Sequence, residues 1–247
     1  MDILHCALDV TPDFKKRTVA GSVTLTFKPI AKPLEDFRLD AVDLTILGVE
    51  CSEKLASYNA TDSEITFLFD PPIAPGRETK LTVRYRAEPK KGLYFRTPEM
   101  GYAATDTHLY TQGEATESRH WFPCYDHPNE KFTSEITCRV PPDMTVLSNG
   151  RLVSSEKDPQ TGLLAVRWLQ DKPHVNYLIS LVAGYWKKLE DKHRDIPLEF
   201  WTTPSDFANA ASSFRATRDI MAFFEKEIGV PYPWDKYAQV CVHDYGW

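Results

Sequence analysis

The segment TQGEATESRHWFPCYDHP, residues 111–128, carries the densest pattern in this 247-residue sequence. It follows a run of Leu, Tyr and Thr at residues 109–111 that favours a β-strand. If the strand continues, Gln112 and Glu114 point the same way, roughly 7 Å apart along the backbone. Gly113 between them would let another chain segment approach the backbone closely. A carboxylate beside a carboxamide oxygen suits an ammonium group, so this pair is a candidate binding site for an amine.

An isolated Gln-x-Glu is most often a pair of solvated polar residues, and the residues that follow decide between the two interpretations. Those residues are Arg119, Trp121, Phe122, Pro123, Cys124, Asp126 and Pro128, followed by Lys131 and Phe132. With Ala115, this string resembles the N-terminal domain of the M1 family of zinc aminopeptidases, which carries Q-x-E-A, A-R and F-P-C-x-D-x-P at this spacing. Ser118 departs from the family, which usually has Ala beside the Arg. The resemblance implies that Gln112 and Glu114 bind the free α-amino group of a substrate, with Glu114 as the main anion.

The composition is that of an ordinary globular protein, with 42% apolar and 26% charged residues. A net charge of −6 argues against a nucleic-acid surface. No apolar run approaches the length of a membrane span, and the first ten residues lack the pattern of a secretory signal. An odd number of cysteines without tight spacing predicts free thiols in a reducing compartment, with the cytoplasm as the default. These cysteines are Cys6, Cys51, Cys124, Cys138 and Cys241.

Short alternating segments predict a mainly β fold for most of the chain. Between residues 3 and 186, apolar and polar residues alternate over short stretches separated by turn signals. We expect a turn at DPPIAPG, residues 70–76, and a strand buried on both sides at residues 177–184. The pattern predicts an antiparallel β-sandwich or saddle as an N-terminal domain over residues 1–188.

The C-terminal part has a different pattern. The charge-rich residues 187–194 predict a link between two domains. Beyond it we expect a strand at residues 196–202 and a single amphipathic helix of about 23 residues, with Ser205 as its N-cap and Gly229 at its end. A further strand is expected at residues 236–243.

The family resemblance extends to this second part. Residues 189–247 resemble the first strand, helix and strand of the thermolysin-like α/β catalytic domain of M1 enzymes. In those enzymes a G-G-M-E-N motif and then the zinc motif H-E-x-x-H follow, so we expect the sequence to stop just before both. Tyr245 and Trp247 would then lie close to the missing catalytic segment.

Other candidate chemistry is weaker. None of the seven histidines is followed by Glu, so the chain has no H-E-x-x-H motif and we expect no metal site in it. Cys124 and His127 have C-x-x-H spacing, but no second pair of ligands lies nearby in sequence. Cys124 could also be a nucleophile with His120 or His127 as its base, although a buried thiol beside the preceding aromatic pair is the simpler interpretation. We expect Arg119 to pair with an acid and Asp126 to brace a turn.

The resemblance implies that the parent protein is a zinc metalloaminopeptidase that acts on peptides with a free N-terminus. The chain would contribute the amine anchor and would depend on the remainder of its own catalytic domain for zinc, so alone it is expected to be inactive. We expect no nucleic-acid or membrane partner. One alternative is a non-catalytic scaffold similar to the second subunit of the general transcription factor TFIID, which keeps a W-F-P-C-x-D string. Another is a generic β-sandwich binding module, such as one for carbohydrate.

Overall fold

Strands dominate the computed structural model, which describes residues 1–246. The strands, in chain order, are β1 (Asp2–Asp13), β2 (Thr18–Lys28), β3 (Leu34–Asp40), β4 (Thr45–Cys51), β5 (Leu55–Ala60), β6 (Glu64–Ile73), β7 (Thr79–Ala87), β8 (Leu93–Arg96), β9 (His108–Thr111), β10 (Phe132–Val140), β11 (Thr145–Ser148), β12 (Arg151–Lys157), β13 (Leu164–His174), β14 (Leu181–Gly184), β15 (Lys187–His193), β16 (Ile196–Thr202) and β17 (Tyr237–Val240). Two α-helices, α1 (Ala210–Phe214) and α2 (Thr217–Ile228), lie near the C-terminus. The prediction of a mainly β protein is confirmed.

The largest sheet has seven strands in the order β12-β13-β10-β1-β2-β7-β4. Its neighbours are antiparallel except β1 and β10, which run parallel. One face is buried, as the alternation predicts: Val23, Leu25 and Phe27 of β2 are at most 2% exposed. Side chains that alternate in this way place their apolar half on one side of the sheet, where they form the core.

Two smaller sheets complete this core. One has the order β11-β14-β9-β8 and the other the order β3-β6-β5. Trp121, Phe122 and Cys124 are buried in the same core. An isolated bridge between Asp40, at the end of β3, and Cys124 connects residues 111–128 to the β3-β6-β5 sheet.

Two local predictions in this region were right only in part. Strand β6 continues through the two prolines of the expected turn to Ile73, and the turn comes only after it. The prolines fit because they lie where the pairing with β3 shifts register, so their missing N–H groups remove no ladder bond. The expected strand at residues 177–184 is shorter, since a 3-10 turn occupies Asn176–Leu178 and β14 begins only at Leu181.

The charge-rich segment expected to be a link is in fact strand β15, which pairs along its whole length with β16. Strand β15 is an edge of the sheet β15-β16-β17, and charged residues are common on edge strands because they discourage further pairing. This sheet and the helices enclose a small separate cluster of Leu198, Phe200 and Met221.

The single helix expected after residue 205 is interrupted. A 3-10 segment, Pro204–Asn209, precedes α1, and α2 is separate. Ser205 is not an N-cap, because its backbone N–H and its hydroxyl both donate to the buried carboxylate of Asp106. Helix α2 does end at Gly229, whose φ of 76° is the left-handed conformation that glycine adopts easily.

Candidate functional site

The candidate amine-binding pair lies in a loop that directly follows β9. The strand ends at Thr111, so the expectation that Gln112 and Glu114 lie on a strand was wrong. Gln112 still donates its backbone N–H to the carbonyl of Gly92, 2.9 Å away, as a continuation of the β8–β9 pairing. The chain then turns, because the N–H of Glu117 bonds the carbonyl of Gly113 at 2.9 Å. Because the strand ends at Thr111, the two-residue repeat of a strand does not place the side chains of Gln112 and Glu114 on one face.

The structure nevertheless brings the two residues together through a local contact. The backbone N–H of Glu114 donates to the side-chain oxygen of Gln112 at 2.6 Å. A carboxamide oxygen can accept two hydrogen bonds, so that of Gln112 keeps one free acceptor position. Glu114 is exposed and forms no salt bridge with a cation among residues 1–246. Its carboxylate is therefore accessible to a cation from outside the chain.

Close packing fixes the loop between the two residues. A Cβ atom at Gly113 would lie 2.5 Å from the carbonyl oxygen of Tyr177 and 2.8 Å from the hydroxyl of Ser118. This confirms the prediction that another segment approaches the backbone here. On the neighbouring strand, Leu181 donates its backbone N–H to the Thr111 hydroxyl at 2.8 Å. The peptide bond between Glu114 and Ala115 is cis.

A buried charge network supports the other end of the segment. The Arg119 guanidinium lies 3.1 Å from carboxylate oxygens of both Asp40 and Asp126, as expected of an arginine that pairs with acids. Asp126 is 1% exposed and also accepts from the side-chain amide of Asn176 at 2.7 Å. Its carboxylate accepts the backbone N–H of Arg119, seven residues earlier, so it braces a longer loop than the local turn we expected.

Cys124 has the environment of a structural thiol. It is 1% exposed, and burial, followed by the nearby Asp126, raises its pKa well above the ordinary value. A thiol in that state is protonated near neutral pH and is a poor nucleophile. His127 is exposed and lies 3.9 Å from Asp40. Within the described part of the chain, no group of three or more His, Cys, Asp or Glu side chains is arranged to hold a metal ion. Cys124 and His127 therefore do not fit a zinc site, and the zinc that the resemblance implies would be held by residues outside this chain.

The sequence interpretation missed the polar and aromatic face next to this loop. On strands β8 and β9, Tyr94 and Tyr110 stack with their ring centres 5.3 Å apart, and Arg96 and His108 form the next pair on the same face. Residues 243–245 cover this face. No local signal could have revealed the contact, because its two sides are more than 130 residues apart in sequence.

Comparison with known proteins extends over nearly the whole chain. The family model of the peptidase M1 N-terminal domain matches residues 3–178. Aminopeptidase 2, mitochondrial, of Saccharomyces cerevisiae is 29% identical over 98% of this chain and 26% of its own length. Leukotriene A-4 hydrolase of Xenopus laevis is 29% identical over 96% of this chain and 39% of its own length.

The chain thus spans between about a quarter and two fifths of the length of these relatives. No helix among residues 1–246 is both long and apolar enough to cross a membrane. The family match covers well over half of the sequence and includes residues 111–128. The chain therefore belongs to the M1 peptidase family, whose N-terminal domain it contains.

Proposed function

We propose that this chain is the N-terminal part of a zinc aminopeptidase that removes N-terminal residues from peptides. In this proposal Gln112 and Glu114 bind the α-ammonium group of the substrate. The observation that carries it is the exposed carboxylate of Glu114, which has no cationic partner among residues 1–246 and lies on a closely packed loop where the Glu114 N–H bonds Gln112.

The chemistry of the loop favours an amine over other ligands. The two relatives carry names that refer to different substrates, so family membership alone leaves the ligand open. A carboxylate beside a carboxamide oxygen offers only acceptors and a negative charge, which an ammonium group satisfies through charge-assisted hydrogen bonds. A neutral lipid or an internal peptide segment would leave the carboxylate unsatisfied.

An ammonium anchor would also explain why only terminal residues are removed. An internal residue has no ammonium group, so its binding would leave the anchor without a partner. A substrate held by its first nitrogen has its first peptide bond at a fixed distance from the anchor. Orientation of this kind can lower a reaction barrier by several kcal/mol.

The catalytic part of the enzyme would lie outside the described residues. We propose that 1–188 is the N-terminal domain, that 189–247 begins the catalytic domain, and that zinc is bound by residues beyond this chain. An exposed apolar stripe on α2, formed by Ile220, Phe223, Phe224 and Ile228, supports this division. In the described part of the chain the outer edge of β17 pairs with no strand, and both surfaces suit cover by the remainder of the catalytic domain. In this proposal the chain alone is inactive.

We propose a reducing compartment, the cytoplasm, for this protein because of the state of its cysteines. All five are free thiols, three of them buried, which fits a reducing environment such as the cytoplasm. The yeast relative is named as mitochondrial, and its name gives a different location for that protein.

The test is Glu114→Gln in the full-length protein encoded by the same gene. We expect kcat/KM for an aminoacyl-p-nitroanilide to fall at least about 30-fold, because an ammonium group would lose its charged partner, while zinc content stays normal. Glu88→Gln is the matched control, since Glu88 is an exposed acid that forms no salt bridge among the described residues. Unchanged kinetics in Glu114→Gln would overturn the assignment of the amine anchor. A wild-type protein without peptidase activity would overturn the aminopeptidase function and favour a scaffold.

A further inference from the structure

Arg96 is a buried arginine whose guanidinium donates to backbone carbonyls and not to a carboxylate. Its side chain is only 9% exposed. Its Nε donates to the carbonyl of His243 at 2.9 Å, and one Nη donates to the carbonyl of Asp244 at 2.8 Å. These two bonds connect strand β8 to a segment almost 150 residues later in the chain.

The remaining partners of Arg96 are also neutral. The guanidinium donates to the carbonyl of Phe95 at 2.9 Å and to the hydroxyl of Tyr110 at 2.8 Å. It lies 5.2 Å from the ring centre of Tyr110 and 5.7 Å from that of Tyr102. None of the salt bridges formed among residues 1–246 involves Arg96. Burial of a charged side chain without a counter-ion costs free energy. Arg96 instead donates through its planar guanidinium to two backbone carbonyls, which indicates a specific structural role.

The segment that Arg96 holds lies beside the candidate amine site. The ring of Tyr245 is 5.8 Å from that of Tyr110, centre to centre. Tyr110 and Gln112 are two positions apart, and the backbone bond from Gln112 to Gly92 continues the strand pairing through that point. Side chains two positions apart on paired backbone share a face, so Gln112 follows Tyr110 on the face that Tyr245 covers.

A second attachment holds the start of the segment. His243 donates its backbone N–H to His108 at 3.4 Å, and its ring lies 3.3 Å from the Asp106 carboxylate. These contacts end at residue 243.

Asp244, which directly precedes Tyr245, is held by three side chains: Arg96 and the Tyr110 hydroxyl donate to its carbonyl at 2.8 and 3.2 Å, and the Tyr102 hydroxyl donates to its carboxylate. Arg96 also binds the carbonyl of His243, so it fixes two successive peptide units next to Tyr245.

We propose that Arg96 is a positioning residue for the amine site. By fixing the carbonyls of His243 and Asp244, it holds Tyr245 as a wall next to Gln112 and Glu114. Arg96 does not touch the substrate; it acts through the segment it binds. This inference rests on the proposed aminopeptidase function and extends it to the residues that shape the site.

The test compares Arg96→Lys with wild type, using two readouts. Lysine keeps the charge but cannot bind two carbonyls as a planar fork. In the full-length protein labelled with fluorotyrosine, the ¹⁹F resonance of Tyr245, assigned with Tyr245→Phe, should shift relative to wild type. In the full-length enzyme, kcat/KM for an aminoacyl-p-nitroanilide should fall about 10- to 100-fold, mainly through KM, with zinc content unchanged.

Arg86→Lys is the matched control, because Arg86 is an exposed arginine on strand β7 and should change neither readout. The remaining tyrosine resonances report whether Arg96→Lys is folded. With an active wild-type enzyme, an unmoved Tyr245 resonance or an unchanged kcat/KM would overturn the role of Arg96 and leave the aminopeptidase function standing. An inactive wild-type enzyme would overturn both.

Discussion

His108 accepts a hydrogen bond from the backbone N–H of His243, with 3.4 Å between the two nitrogens and 135 positions between the two residues. The other ring nitrogen of His108 lies 2.7 Å from the carbonyl oxygen of Asp106, to which it must donate. One nitrogen donates and the other accepts, which is the pattern of a neutral imidazole. Protonation would place a second donor against the His243 N–H and break this contact.

We predict that this contact makes the protein sensitive to acid. Burial, opposed by the hydrogen bond to Asp106, lowers the pKa of His108 to about 4. The ordinary pKa of histidine is about 6.5. Between pH 6.5 and pH 4, His108 therefore binds a proton in the unfolded chain but stays neutral in the folded chain. The stability due to neutral His108 is present above about pH 6.5 and is lost as the pH falls towards 4.

The measurement is urea unfolding at about pH 7 and about pH 4.5, for wild type and for His108→Gln. Wild type should lose about 2.5 kcal/mol more than the variant between the two pH values, since glutamine does not titrate. His174, whose pKa is also lowered by burial, is present in both proteins and cancels in the comparison. Parallel losses in the two proteins would contradict the prediction.

Gly113 provides a prediction about the loop itself. Its missing side chain leaves room for the Tyr177 carbonyl, which a Cβ would approach to 2.5 Å. In Gly113→Ala one of the two segments must move, at a cost of about 1–3 kcal/mol in the free energy of unfolding. The movement would displace Gln112 and Glu114, so KM for an aminoacyl substrate should rise in the full-length enzyme.

The control for Gly113→Ala is Gly162→Ala. A Cβ at Gly162 meets nothing within 4 Å, but its φ of 74° makes alanine unfavourable by about 1 kcal/mol. This variant should lose stability without a change in KM. If Gly113→Ala behaves in the same way, packing at Gly113 does not position the amine site.

These contacts mark the boundary of what the sequence could predict. The inward face of Val23, Leu25 and Phe27 was predictable because alternation is a local pattern set by the pleat of one strand. The end of β9 at Thr111 was not, because the close approach of Tyr177 that fixes the turn after it comes from over 60 residues away. Gln112 and Glu114 were therefore identified by motif, while their geometry was predicted incorrectly.

Two other differences have separate physical causes. Arg96 stands in a short run of apolar and aromatic residues, and its partners at His243 and Asp244 have no sequence relation to it. The charge-rich sequence of β15 predicts a link because its polar residues do not alternate with apolar ones, and an edge strand does not require that alternation. The partners of Arg96 are distant in sequence, whereas β15 pairs with the next strand in the chain and was missed because of its composition.

The last prediction concerns the network behind the segment 111–128. Asp126 is almost fully buried and binds Arg119 and Asn176, at 3.1 and 2.7 Å. In Asp126→Asn the shape is preserved, but Arg119 keeps only the half-buried Asp40 as a counter-ion. Since the loss of one partner leaves a poorly solvated charge, the variant should lose about 2–4 kcal/mol of stability.

Asp36→Asn is the control. Asp36 lies 3.9 Å from Arg38 with both side chains more than half exposed, so the loss of this pair should change stability by less than about 0.5 kcal/mol. Urea unfolding at neutral pH measures both variants. Equal effects would mean that burial adds nothing to the Arg119–Asp126 pair, and that the loop carrying Gln112 and Glu114 does not depend on this pair.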